Sequence, residues 1–180
     1  MMIQRIALLR AVNVGGTGKL PMAALRAALT EAGLAEVRTV LASGNVVFRD
    51  ARSPEALEPV IEAVLAARFG LTTEVYVRSA KQWAEVVAGC PFPDAARDQP
   101  SRLIALICRE PFDESRLADA QAAVPGAERI TGAGRTLYIH YGEGMADTKV
   151  TAPWLWSRLG ARGTARNWNT VLKLAGMAGG

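Results

Sequence analysis

The stretch "RIALLRAVNVGGTGKLPMAALRAALTEAG", residues 5–33, decides the class of fold to which this chain belongs. It opens on an apolar run, continues through a loop with three glycines, and then places apolar residues at helical spacing. This pattern predicts a strand at about residues 3–10 and a helix at about residues 21–32, because Pro21 suits a first helical turn and Gly33 a helix end.

The rest of the chain continues this alternation of strands and helices. Residues 1–89 have the order βαββαβ followed by one helix, and residues 102–180 repeat that order. Between them, residues 90–101 contain three prolines and are predicted to form a connector. Further strands are predicted at about residues 36–42, 45–49, 73–77, 102–108, 127–131 and 135–141, and further helices at about 53–68, from 79, 113–124, 152–159 and from 167, with "GTAR" at 163–166 extended.

The order βαββαβ is the split-βαβ, ferredoxin-like pattern, also called the alpha-beta plait. The chain is therefore predicted to be α+β, with two tandem ferredoxin-like modules that are each followed by an extra helix. In such a module the loop after the first strand and the turn between the second and third strands meet at one edge of the sheet. That edge would bring residues 13–19 beside residues 43–45.

The first strand of each predicted module is apolar on both faces. In the N-terminal one, Ile6 and Leu8 alternate with Ala7 and Leu9. A strand that is apolar on both sides is covered on both sides, so the face that RNA-binding plaits leave open should be closed here. The aromatic pattern of those RNA-binding modules is also absent from the sequence. Recognition of RNA on the sheet face is therefore not expected.

The bulk composition excludes several classes of protein. No run of about 18 apolar residues is present, so no membrane contact is expected. Cys90 and Cys108 lack a CxxC spacing and His140 is the single histidine, so no metal, cofactor or catalytic triad is predicted. The N-terminal run is interrupted by arginines and lacks a cleavage pattern, which predicts a cytoplasmic protein.

The glycine-rich loop resembles a phosphate-binding loop without matching one. A Walker A motif ending at Lys19 would need glycine in place of Asn13 and a hydroxyl residue in place of Leu20. The dinucleotide fingerprint also fails on spacing. A plain crossover loop and a ligand-binding loop both stay open, and the free N–H groups at the start of the next helix favour an anion. The candidate ligand-binding residues at this edge are Asn13, Gly15, Gly16, Lys19, Ser43 and Asn45.

The C-terminal part of the chain is basic. From residue 149 onward there are five basic residues and no acidic one, so this part carries +5 while the whole chain carries +4. In "TARNWNTVLKL", residues 164–174, Asn167 fits a helix N-cap, which explains it without a ligand. A polar stripe beside it could hold a phosphate, and a solvated surface around a core tryptophan is the alternative. The candidates here are Arg166, Asn169, Thr170 and Lys173, on the side opposite Trp168, Val171, Leu172 and Ala175, with Lys149 as a further member.

Four segments of the chain, "IALLRAVNVGGTGKLPMAALRAAL", "VRTVLASGNVVF", "VYVRSA" and "TARNWNTVLKLAGM", resemble the bacterial family known as domain of unknown function 1697. The resemblance implies a cytoplasmic α+β protein of two plait-like halves, and it implies no established reaction, cofactor or partner. The family usually has glycine at the position of Ala11 and glutamine at that of Ala42, and "APWLW" after Lys149 is atypical of it. By position, the family's hallmark residues are Asn13, Val14, Gly15, Gly16, Lys19, Ser43, Gly44, Asn45, Arg166, Asn167, Trp168 and Asn169.

Three functions are compatible with these features. The first is a non-catalytic binder of an anionic ligand, either nucleic acid or a nucleotide-like phosphate, because a basic tail and a backbone-rich loop both favour anions. The second is an enzyme acting on a small phosphorylated or carboxylated metabolite, although no nucleophile, general base or metal constellation is recognisable. The third is a structural or protein-interaction module.

Overall fold

The structure is a computed structural model, and it describes residues 1–15 and 19–179 of the chain. These residues form eight strands, seven α-helices and two 3₁₀ turns at Pro100–Arg102 and Glu114–Arg116. The strands are β1 Ile3–Leu9, β2 Ala35–Val40, β3 Asn45–Asp50, β4 Val75–Ser79, β5 Leu103–Cys108, β6 Arg129–Ala133, β7 Thr136–His140 and β8 Gly163–Asn167. The helices are α1 Met22–Glu31, α2 Pro54–Phe69, α3 Ala80–Ala88, α4 Pro93–Asp98, α5 Leu117–Ala122, α6 Ala152–Leu159 and α7 Trp168–Ala178.

The first compact unit comprises residues 1–85 and 174–180. Its four strands form one sheet in the order β2-β3-β1-β4, in which all neighbours are antiparallel. Helices α1 and α2 cover one face of that sheet, and their buried residues Leu25 and Ile61 pack with Phe48 of β3 in a single apolar core. Val12 and Leu20, which flank the glycine-rich loop, belong to this core, so the core fixes the two ends of the loop.

The second compact unit comprises residues 86–173. Its sheet has the order β6-β7-β5-β8, again with all neighbours antiparallel. Helices α5 and α6 cover one face, where Leu155 of α6 packs with Leu137 and Ile139 of β7. The chain is therefore α+β with two four-stranded antiparallel sheets, and each unit contains the order βαββαβ that the sequence predicts.

Both faces of each sheet are buried, as the apolar strands predict. Ile6 and Leu8 of β1 are as inaccessible as Ala7 and Leu9 on the other face. In the second unit the face opposite α6 carries Tyr138, whose ring lies 6.3 Å from that of Trp168 at the start of α7. Helices α6 and α7 therefore lie on opposite faces of the second sheet.

Two N–H groups at the free edge of strand β4 are bonded to side chains of α2. The N–H of Val75 donates to Glu62 Oε1 at 2.9 Å, and the N–H of Val77 donates to Glu58 Oε1 at 3.0 Å. Glu58 and Glu62 are four residues apart, so they project from the same side of α2 toward alternate residues of the strand. An edge whose N–H groups are already bonded is a poor template for another strand.

Three sequence predictions differ from the structure. The connector contains helix α4, because Phe92 and Ala95 are buried and fix this short segment against the fold. The helix predicted at 113–124 is divided into a 3₁₀ turn and α5. The "GTAR" segment is a full strand, β8, which pairs with β5. Gly163 allows that pairing, since a Cβ there would lie 2.1 Å from the carbonyl oxygen of Ile107.

Candidate functional site

A cleft of about 610 Å³ opens in the first unit beside the start of α1. Its volume falls within the range of small-molecule sites. Both ends of the glycine-rich loop contribute to its wall, and so does the turn between β2 and β3. The lining residues are Asn13, Val14, Gly15, Lys19, Leu20, Pro21, Met22 and Ala42.

Asn13 joins the two ends of the loop to the neighbouring turn. Its Nδ2 donates to the carbonyl oxygen of Leu20 at 3.0 Å and to that of Ala42 at 2.7 Å. Its Oδ1 accepts from the N–H of Leu20 at 2.6 Å. Asn13 also has a φ of 54°, in the left-handed region that asparagine tolerates better than most residues. Both N–H groups of the Asn13 side-chain amide are therefore bonded to backbone carbonyls that shape the cleft, and neither is available to bind a ligand.

The "SGN" turn at residues 43–45 is fixed by hydrogen bonds and close packing within the first unit. Asn45 is fully buried, and its Nδ2 donates to the carbonyl oxygen of Val40 at 2.8 Å and to Ser43 Oγ at 3.0 Å. Gly44 has a φ of 81°, and a Cβ there would lie 2.5 Å from Val12 Cγ2. The N–H of Leu9 donates to the carbonyl oxygen of Gly44 at 2.9 Å, so the turn is fastened to the end of β1. Asn45 has no route to a ligand, while Ser43 is exposed.

Lys19 and the start of α1 supply the positive electrostatics of the cleft. The Lys19 side chain is exposed at the wall. Helix α1 begins after Pro21 without a side-chain cap and without an acidic residue in its first turn. The first N–H groups of a helix have no partner within it, and the helix dipole is positive at that end. Gly15 is exposed with a φ of 52°, and the candidate Gly16 lies outside the described residues.

Arg166 is inside the second unit and not on an exposed stripe, which corrects the sequence prediction. The residue is 7% exposed and lies in β8, opposite Ala105 of β5. Its Nη1 donates to Thr164 Oγ1 and to the carbonyl oxygen of Ala165, both at 2.8 Å. Burial lowers the pKa of its guanidinium to about 10. A residue packed in this way supports the sheet and presents no charge to a large ligand.

The outer surface of α7 also differs from the predicted one. Asn167 caps the helix, as predicted, since its Oδ1 accepts from the N–H of Thr170 at 3.1 Å. Thr170 is buried, whereas Leu172 is 45% exposed, because the helix turns its 168, 171 and 174 positions inward. The candidates Asn169 and Lys173 are exposed on α7.

Lys149 is exposed in the loop before α6, and α6 and α7 cover opposite faces of the second sheet. The basic residues of the C-terminal part are therefore not gathered into one patch on α7. Lys149, Asn169, Lys173 and the buried Arg166 all belong to the second unit, whereas every residue that lines the cleft belongs to the first.

His140 is a packed residue in the second unit. Arg129 donates to its Nδ1 from Nη2 at 3.1 Å, and His140 Nε2 lies 2.7 Å from Gln99 Oε1. Because arginine only donates, Nδ1 must accept, and Nε2 carries the proton that bonds Gln99. Burial and the Arg129 charge lower the pKa of His140. Arg129 also pairs with Asp94 at 2.9 Å, and the negative charge of Asp94 opposes part of this lowering, so the histidine belongs to a structural network.

The sequence missed the apolar part of the cleft. Leu20, Pro21, Met22 and Ala42 line it, yet their residue types carry no chemical signature. The one indication was their position, directly after the glycine-rich loop and directly before the "SGN" turn. Within residues 1–15 and 19–179, no group of three or more His, Cys, Asp and Glu side chains could hold a metal ion. In the same part of the chain, no helix has the length and apolar character needed to cross a membrane.

These features define an α+β protein with two four-stranded antiparallel sheets and a cleft at the start of its first helix. The chain belongs to the family described as protein of unknown function (DUF1697), whose model matches residues 2–138. The resemblance found in the sequence is thereby confirmed.

A solved structure has the same fold over nearly the whole length of both chains. It is the conserved bacterial protein SP0830 from Streptococcus pneumoniae, with a TM-score of 0.75, 22% sequence identity, and 99% of each chain covered. At that identity the similarity concerns the fold alone. No curated protein matches the chain.

Proposed function

We propose that this protein is a non-catalytic binder of an anionic ligand, which it holds in the cleft of its first unit. The observation that carries the proposal is the position of Lys19 in the same cleft wall as the uncapped start of α1. A lysine ammonium group and the unpaired N–H groups of a first helical turn both stabilise negative charge. Asn13 and Asn45 support the site by fixing the loop and the turn, and they do not contact the ligand themselves.

A small phosphate-bearing or carboxylate-bearing molecule is favoured over nucleic acid. A nucleic-acid surface needs several exposed cations that follow a backbone. Arg166 is buried, and the exposed Lys149 and Lys173 lie in the other unit, next to elements that cover opposite faces of its sheet. The cleft itself has one charged side chain among its described lining residues, which suits a ligand with a single anionic group.

An enzymatic role has less support. Among the described residues that line the cleft, no serine, cysteine, histidine or carboxylate is present, so none offers a nucleophile or a general base of those kinds. A protein-interaction role is favoured by one observation in the second unit, because Trp156 of α6 is 59% exposed. Exposed tryptophan is enriched at protein interfaces.

The proposal also covers the type of module, the bounds of the modules and the cellular location. Each unit is a ferredoxin-like module, which the matching strand orders and antiparallel pairings support. By sequence these modules comprise residues 1–89 and 102–180 with a connector between them, which the three prolines of that segment support, whereas the compact units are residues 1–85 with 174–180 and residues 86–173. The protein works in the cytoplasm, which its two free cysteines support.

Calorimetric titration tests the binding proposal. Inorganic phosphate, adenosine monophosphate and short carboxylates are titrated into the wild-type protein and into Lys19→Ala. We expect at least one anion to bind, and the variant to bind it about tenfold more weakly, as removal of a charged hydrogen-bond partner implies. Lys149→Ala removes the same charge from an exposed loop of the other unit and serves as the matched control. Equal affinities for wild type and Lys19→Ala, or no binding of any anion, would refute the proposal.

A further inference from the structure

The composition of the cleft wall indicates the chemical class of its ligand. Five of the described lining residues are apolar and one is charged. Leu20 is buried and belongs to the apolar core, while Val14 is half exposed. The apolar members are Val14, Leu20, Pro21, Met22 and Ala42, and Lys19 is the single charged member among the described lining residues.

Apart from Lys19, Asn13 is the one described lining residue with a polar side chain, and that side chain is already used. Both N–H groups of the Asn13 amide donate to backbone carbonyls of Leu20 and Ala42. The described side chains of the wall therefore leave Lys19 as the group that can bind a polar ligand atom directly. A sugar or another body rich in hydroxyl groups would lose its hydrogen bonds to water here without replacing them, which costs free energy.

The charge of the wall favours a ligand with a single negative charge. A phosphate monoester carries close to two negative charges at neutral pH, because its second pKa is near 6. Lys19 carries one positive charge and the start of α1 contributes roughly half of one, so a second full negative charge against an apolar wall would be compensated only in part. A carboxylate carries the single charge that Lys19 can match.

We propose that the ligand of this cleft is a monocarboxylate with an apolar body of several carbon atoms, either an alkyl chain or an aromatic ring. The inference rests on the proposed function, since it assigns the ligand class of the same site. The carboxylate pairs with Lys19, and the apolar body lies against Val14, Pro21 and Met22. A cleft of about 610 Å³ has room for such a body.

A homologous ligand series tests this inference by calorimetry. The probes are acetate, butyrate, hexanoate and benzoate, together with inorganic phosphate, hexyl phosphate and the neutral hexanamide. We expect the affinity for the carboxylates to rise about fourfold with each methylene group that the cleft buries, as apolar transfer implies. Hexanoate should bind more tightly than both hexyl phosphate and hexanamide.

Variants separate the two parts of the site. Lys19→Gln should weaken every carboxylate by the same factor and leave the dependence on chain length unchanged. Val14→Thr keeps the shape of the side chain, and Met22→Gln keeps its length and a good helix propensity, so both should reduce the gain per methylene group. Thermal denaturation of each variant shows that the fold is retained, and a variant that unfolds is replaced by Ala42→Ser in the exposed turn.

The possible outcomes distinguish the two proposals. If inorganic phosphate binds as well as hexanoate, and Lys19→Gln abolishes both, the carboxylate inference is wrong while the anion-binding proposal stands. If hexanamide binds as tightly as hexanoate, charge plays no part and both proposals are wrong. If none of the probes binds, both are overturned as well.

Discussion

Replacement of Asn13 measures how much the glycine-rich loop depends on one side chain. The Asn13 amide makes three hydrogen bonds to backbone groups, two as donor and one as acceptor, over 2.6 to 3.0 Å. The N–H of Leu20 would lose its partner in Asn13→Ala, and Leu20 is 2% exposed, so water would replace that bond poorly. The bond to Ala42 is exposed, and water can replace it readily.

The expected cost follows from these contacts. One unsatisfied N–H and two weakened carbonyl bonds contribute about 2–3 kcal/mol. Alanine at a φ of 54° adds about 1 kcal/mol of backbone strain. Asn13→Ala should therefore lower the free energy of unfolding by about 3–4 kcal/mol, and Asn13→Gly by about 1 kcal/mol less because glycine relieves the strain.

Urea denaturation followed by tryptophan fluorescence provides the assay, with an unchanged slope as the criterion that stability alone has changed. Asn169→Ala is the control, because Asn169 is exposed on α7 and its replacement should change stability by less than about 0.5 kcal/mol. A loss below about 1 kcal/mol for Asn13→Ala would refute the view that this amide fastens the loop. Equal stability of the alanine and glycine variants would refute the strain contribution.

Three further predictions follow from single contacts. Glu58→Ala leaves the N–H of Val77 without its acceptor and should cost about 1–3 kcal/mol in urea denaturation, whereas Glu58→Gln keeps an acceptor oxygen and should restore most of it. Burial lowers the pKa of His140 in the folded protein below the unfolded value of about 6.5, so stability should fall as the pH drops below about 6.5. Thermal denaturation from pH 7 to pH 5, a range set by that reference value, should show a smaller decrease in melting temperature for His140→Gln than for the wild type. An equal decrease in the two proteins would contradict the assignment of this pH dependence to His140. Gly44→Ala combines a φ of 81° with a Cβ 2.5 Å from a neighbouring side chain, so it should lower the free energy of unfolding by more than about 2 kcal/mol. Gly134→Ala, which has a φ of 58° and open space around the Cβ, should lower it by about 1 kcal/mol.

Local sequence patterns predicted most elements because the period of apolar residues depends on neighbours a few positions away. The period-3.6 pattern of α1 and the apolar run of β1 are of this kind. Helix α4 and strand β8 were not predicted as such, since proline and glycine obscure their patterns. Burial of Phe92 and Ala95 fixes the first, and pairing with β5 fixes the second.

The candidate site also has a part that the sequence predicted and a part that it did not. The sequence placed Lys19 and the glycine-rich loop beside the turn at residues 43–45 through the topology of the sheet alone. It also assigned Arg166, which directly precedes the helix predicted from residue 167, to the exposed polar stripe of that helix. Arg166 lies in a strand, where alternate residues face inward, so its charge is buried and not presented to solvent.

By itself, the sequence determined the order of strands and helices, the α+β class and the family, because each depends on residue types at fixed spacing along the chain. Only the tertiary structure decided the roles of the polar residues in that framework. Asn13 finds a partner 29 residues away in Ala42, and such a partner is invisible to any local pattern. The two ends of the glycine-rich loop are therefore held by the Asn13 amide and by the apolar core that contains Val12 and Leu20, and neither of these roles can be read from residue types along the chain.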